Sequence, residues 1–118
     1  MPDDRIYYRG FDSQYPNLGC NESYIWLTDS IDFAREYTKG RHSLAELIIN
    51  IKNLKCADEY DIEWLEYDFD YDLYQPDETL CQQLRLNGYN AYLIYSTHQD
   101  EMLCLLDKTL VKRIEILN

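Results

Sequence analysis

The stretch Tyr24-Ile25-Trp26-Leu27-Thr28-Asp29-Ser30-Ile31-Asp32-Phe33-Ala34 changes its period in the middle, and that change decides the fold class. Residues 24–28 follow a Pro16/Gly19 loop and are aromatic and β-branched, which predicts a strand. Asp29 or Ser30 then offers a side-chain oxygen to the free N–H groups of a first helical turn. Asp32 suits the positive helix start and Gly40 a left-handed stop. A helix is expected over 31–39, with Ile31, Ala34 and Tyr37 recurring every three residues and Phe33 alongside.

Outward from that junction, 6–9 is a short β-rich run stopped by Gly10. In 44–51, Ala45, Leu47, Ile49 and Ile51 alternate at period two with Leu44 and Ile48 on the other face, as in a buried central strand. Pro76-Asp77 opens a second helix, Leu80, Cys81 and Leu84 share its face, and Asn87-Gly88 closes it. Strands are expected at 91–95, 102–106 and 110–116. The order mixes hairpin links with crossovers. It therefore predicts one compact α+β domain over 1–118, with a mixed or antiparallel sheet and two main helices.

Between the central strand and the second helix, 58–78 carries ten Asp and Glu residues and no Lys or Arg, whereas the other 97 residues hold 12 acidic and 11 basic side chains. This one segment carries −10 of the net charge of −11, and the rest is nearly neutral. Tyr60, Trp64, Tyr67, Phe69, Tyr71 and Tyr74 lie within it, so it differs from a solvated disordered tail and is expected as an acidic surface insertion. A negatively charged docking face for a basic protein is the alternative. Asp68, Asp70 and Asp72 have calcium-loop spacing, but Leu73 stands where the sharp turn needs Gly and Thr79 where a bidentate Glu is required.

Several function classes are excluded. There is no Gly-x-Gly-x-x-Gly, no P-loop and no Gly-x-Ser-x-Gly, and four glycines leave little room for a phosphate cradle. The charge has the wrong sign for direct nucleic-acid binding. No apolar run approaches the ~18 residues of a spanning helix, and Met1-Pro2-Asp3-Asp4 does not begin a secretory signal, so a cytoplasmic protein without a membrane partner is expected. Cys20, Cys56, Cys81 and Cys104 form no Cys-x-x-Cys pair and are expected as core thiols, with no metal site; their three possible pairings stay open.

Three short motifs remain: Tyr8-Arg9-Gly10 closing the first strand, Thr28-Asp29-Ser30 between the second strand and the helix, and Gln99-Asp100-Glu101 entering a late strand. In this order and on these elements they resemble the arginine–serine–glutamate class of the ADP-ribosyltransferase-like superfamily, in its small bacterial and phage members. Thr28 to Ser30 departs from that class's Ser-Thr-Ser. The resemblance covers most of the chain outside 58–78.

It implies a split β-sheet core and an NAD-dependent mono-ADP-ribosyltransferase, a transferase of the glycosyl-transferring kind, possible as a toxin or effector with an unknown macromolecular acceptor. Breaking the ribose–nicotinamide bond of NAD develops positive charge on the sugar, against which a fixed carboxylate counts most in the transition state. The resemblance gives that role to Glu101. It gives acceptor orientation to Gln99, buttressing of Glu101 to Thr28, pyrophosphate or ribose binding to Arg9, and further NAD contacts to Ser30 and Tyr37. The residues also carry plainer readings: Arg9 as an ion-pairing residue, Thr28 as a strand residue before a cap, Gln99 to Glu101 as a hairpin turn, and Tyr37 as core. A non-catalytic acidic protein that mimics nucleic acid or docks on a basic partner through 58–78 is the competing function.

Overall fold

The computed structural model describes residues 3–12, 23–36, 42–95 and 99–117. Seven strands and three α-helices follow one another as β1 (Asp4–Asp12), β2 (Ile25–Leu27), α1 (Ile31–Glu36), β3 (His42–Asn50), β4 (Cys56–Ala57), α2 (Glu59–Phe69), α3 (Glu78–Leu86), β5 (Ala91–Tyr95), β6 (Glu101–Leu105) and β7 (Val111–Ile116). The fold is α+β.

The strands form two sheets. One is antiparallel with the order β1-β3-β7; the other has the order β2-β6-β5-β4, antiparallel except for the β4–β5 pair. A single bridge joins them: Tyr8 N–H donates to Thr28 O at 2.7 Å and Thr28 N–H donates to Tyr8 O at 3.0 Å. β1 and β2 share no further ladder pairing among the described residues, so the strands are split into two ladders at this junction.

Period-two alternation explains the two cores. Inward residues of both sheets, among them Tyr7, Leu27, Leu47, Ile49, Leu103 and Leu105, form one buried cluster. On the opposite face of the four-stranded sheet, Tyr92, Ile94 and Cys104 pack with residues of α2 and α3. Tyr92 stays buried because its hydroxyl donates to Leu73 O at 2.6 Å and its ring meets Trp26 edge-on at 5.6 Å.

Two helix starts follow the sequence signals. Ser30 Oγ accepts from Phe33 N–H at 3.2 Å, so Ser30, of the two candidates, caps α1; Asp77 Oδ1 accepts from Leu80 N–H at 2.8 Å and caps α3. Gly88, at φ +88°, takes the left-handed position after α3, and Tyr89 N–H returns to Leu84 O at 3.0 Å. The expected end of the first helix, with Tyr37 and Gly40, lies outside the described residues, as do Cys20 and His98. Cys56, Cys81 and Cys104 are free thiols.

The acidic segment departs from expectation. It contains α2, so there are three helices rather than two, and it buries Ile62, Leu65 and Leu73 in the core against α3 and β5. Burial of each such side chain stabilises by roughly 1.5–3 kcal/mol, which anchors the segment, while Asp61, Glu63, Asp68, Asp70 and Asp72 are exposed. Among the described residues no helix is long and apolar enough to cross a membrane.

Candidate functional site at the mouth between the sheets

The apolar core between the sheets ends at Leu27 and Leu103, which face each other across β2 and β6. Beyond them stand Asp29, two residues after Leu27 in the bend that follows β2, and Glu101, two residues before Leu103 and on its face of β6. β1 brings Tyr7 and Arg5 to this level from the other sheet. The mouth of the split is thus lined by four polar side chains above an apolar floor.

Arg5 organises them. Its Nη2 lies 3.1 Å from Asp29 Oδ2 and 3.4 Å from Glu101 Oε2, its Nη1 donates to the Tyr7 hydroxyl at 3.2 Å, and its guanidinium carbon sits 5.1 Å from the centre of the Tyr7 ring. The contact to Asp29 is a hydrogen bond, whereas that to Glu101 is an ion pair without hydrogen-bond alignment. Glu101 Oε2 is buried and has no hydrogen-bond donor among the described residues. The Glu101 side chain is 20% exposed, against 45% for Arg5 and 38% for Asp29.

An unmet acceptor on a carboxylate in a partly dry position is unfavourable, by more than the 1–3 kcal/mol typical of neutral groups. The carboxyl of Glu101 is accordingly held above its ordinary range: removal from water raises it, the Asp29 charge raises it further, and Arg5 opposes both. The Tyr7 hydroxyl is likewise pushed up by burial, against the lowering effect of Arg5. One guanidinium faces two carboxylates, so the ionised mouth holds surplus negative charge and an open lone pair. Such a site suits a ligand that brings hydroxyl donors and a centre of positive charge.

The other residues singled out in the sequence are distributed around this mouth. Arg9 shares the face of Arg5 but stands four residues along β1, about 13 Å away, and its Nη1 donates to Trp26 O at 3.0 Å. Thr28 is buried, and its Oγ1 accepts from Ser30 N–H at 3.2 Å. Ser30 serves as the α1 cap. Gln99 is exposed and holds φ +66°, a left-handed conformation unusual for a side-chain-bearing residue, just before β6 starts at Glu101.

Sequence reasoning passed over Arg5 and treated Asp29 only as a helix cap. The available signal was the alternation of Arg5, Tyr7 and Arg9 on one face of β1. Among the described residues no group of His, Cys, Asp and Glu is arranged to hold a metal ion. Searches of protein-family models, curated proteins and solved structures find no match to the chain.

Proposed function

We propose that the protein is an NAD-dependent mono-ADP-ribosyltransferase-like enzyme whose reaction takes place at the mouth between the sheets. The observation that carries the reading is the buried Oε2 of Glu101, ion-paired with Arg5 but without a hydrogen-bond donor among the described residues, beside a second carboxylate. In this reading the bond between ribose C1′ and the nicotinamide nitrogen breaks, and its electron pair returns to the pyridinium ring. Glu101 accepts a ribose hydroxyl and opposes the positive charge growing on the sugar. An acceptor nucleophile, oriented by Gln99, bonds to C1′ and releases its proton to water. The resemblance in the three motifs and the split between the sheets support the same assignment.

Arg5 takes the place beside Glu101, holding it and Asp29 in position, while Ser30, next to Asp29, and Arg9, four residues along β1 from Arg5, keep the remaining NAD contacts to ribose and pyrophosphate. Thr28 then acts by fixing the β2–α1 junction. The acceptor is a macromolecule of unspecified kind, in keeping with a toxin or effector. NAD-dependent labelling of a cell lysate tests the reading: wild type labels an acceptor, Glu101→Gln does not, and Arg5→Ala gives weakened labelling. Equal labelling by wild type and Glu101→Gln contradicts it.

A second reading has its own observation. Tyr60 and Tyr67 are each 83% exposed and Phe69 60%, on a helix in a segment without a cation. A non-catalytic protein docking a basic partner on α2 fits this face. Replacing Asp68, Asp70 and Asp72 by Asn should then weaken capture of a basic protein strongly at low salt and less at high salt, because exposed charges are screened. Capture indifferent to both counts against it.

A further inference from the structure

At the far end of the four-stranded sheet, where β5 begins and β6 ends, a separate open cavity of about 630 Å³ is lined by Lys52, Lys55, Arg85, Tyr89, Asn90 and Asp107, with a few neighbours. Three of the chain's 11 basic residues meet there, in a protein with twice as many acids as bases. The lone carboxylate in the lining is already engaged, since Asp107 Oδ1 accepts from the backbone N–H and the hydroxyl of Thr109. Lys52 and Lys55 make no ion pair with any described residue. Two neighbouring lysines without an ion pair among the described residues, beside Arg85, are a local surplus of positive charge.

The walls are fixed before any ligand arrives. Asn90 Oδ1 accepts from Lys55 N–H at 2.6 Å and Asn90 Nδ2 donates to Asn53 O at 3.0 Å, which ties the loop before β4 to the start of β5. Asn50 Oδ1 accepts from Lys52 N–H at 3.1 Å, and Ile51 N–H donates to Asp3 O at 2.9 Å, which holds the other end of that loop. Arg85 is anchored through Nη2 to Ser23 O at 2.8 Å and Leu106 O at 2.9 Å. The backbone carrying Lys52 and Lys55 and the Arg85 side chain are thus in place before an anion arrives, which lowers the ordering cost of binding it.

We infer that this cavity binds a small phosphate-bearing anion, of up to mononucleotide size, with Lys52, Lys55 and Arg85 holding phosphate oxygens and Tyr89 offering a ring surface to a base or sugar. The volume lies within the range of small-molecule sites. A long polyanion is disfavoured by the same arithmetic that isolates the cavity: outside it the chain is strongly negative, and a nucleic-acid strand would have to run along that surface. The cavity lies at the opposite end of β5 and β6 from Glu101, so the inference stands apart from the NAD reading.

The test is a titration of the full chain with inorganic pyrophosphate and with AMP, followed by calorimetry and by backbone amide shifts. Saturable binding of both is expected at low salt, with the shifts centred on Gly88, Asn90 and the loop carrying Lys52 and Lys55. The Lys52→Gln/Lys55→Gln variant should bind pyrophosphate about a hundredfold more weakly, with an unchanged melting temperature, since each of the two lost charge-assisted contacts is worth roughly tenfold. Tyr89→Ala should weaken AMP and spare pyrophosphate. The inference is overturned by any of three results: absence of saturation in wild type, equal affinity in the double lysine variant, or tighter binding of a single-stranded oligonucleotide than of AMP. Loss of pyrophosphate affinity in Arg5→Ala but not in the lysine variant would place the anion at the mouth and also overturn it.

Discussion

The two ends of the four-stranded sheet carry opposite charge surpluses. At the mouth, Arg5 is shared between Asp29 and Glu101, and one carboxylate oxygen has no hydrogen-bond donor among the described residues. At the other end, Lys52, Lys55 and Arg85 surround a cavity whose single carboxylate is occupied as a cap. The registers Tyr95↔Glu101 and Ala91↔Leu105 bound these ends, four residues or about 13 Å apart along the strands. The contrast teaches that the core between them is a spacer. Leu93, Leu103 and their neighbours are satisfied by packing alone, and unmet polar capacity collects where the core stops.

The largest expected effect breaks both ends at once. Leu103 is fully buried between the sheets, and Leu103→Ala should cost about 2–5 kcal/mol in urea unfolding, with NAD cleavage and pyrophosphate binding declining together. A loss in one function alone would mean that the ends do not share one cooperative core. Asn90→Ala is smaller and one-sided. It leaves the exposed Lys55 N–H and Asn53 O to water and should cost about 0.5–1.5 kcal/mol, loosening the basic cavity while NAD cleavage in the remaining folded protein is unchanged. Equal damage at the mouth would erase the distinction between the ends.

The smallest effect sharpens the acidic end. Because the Glu101 carboxyl is raised in the folded chain, the native state binds its proton more tightly than the unfolded state does. Stability from this group is therefore present in acid and lost as pH rises through the carboxylate range. Glu101→Gln should raise the melting temperature by a few degrees at neutral pH and give no gain near about pH 3. A constant difference across that range would show that ionisation of Glu101 carries no cost.

Much of this architecture was legible locally. Strand β5 has the expected bounds, α3 starts at its Asp77 cap, and the strand-to-helix switch at Thr28 to Ile31 holds. α2 was hidden because carboxylates crowd around Ile62 and Leu65, so the charge signal outweighs two apolar positions at helical spacing. β4 was invisible because it has two residues and exists through parallel pairing with a strand 35 residues away. At the site, Glu101 was marked by its motif. The choice between Arg5 and Arg9 was not, because both lie on one face of β1. Which of them meets β6 depends on the Tyr8↔Thr28 bridge, a contact 20 residues apart.

Release of nicotinamide from NAD in a single turnover tests the central claim most directly, measured for wild type, Glu101→Gln and Glu115→Gln, which makes the same atom exchange on the exposed strand β7. The account predicts a fall of about 10²–10³ for Glu101→Gln, by analogy with losing one preorganised electrostatic partner, and an unchanged rate for Glu115→Gln. Wild-type release in Glu101→Gln, or a wild type that releases no more nicotinamide than buffer, would contradict it.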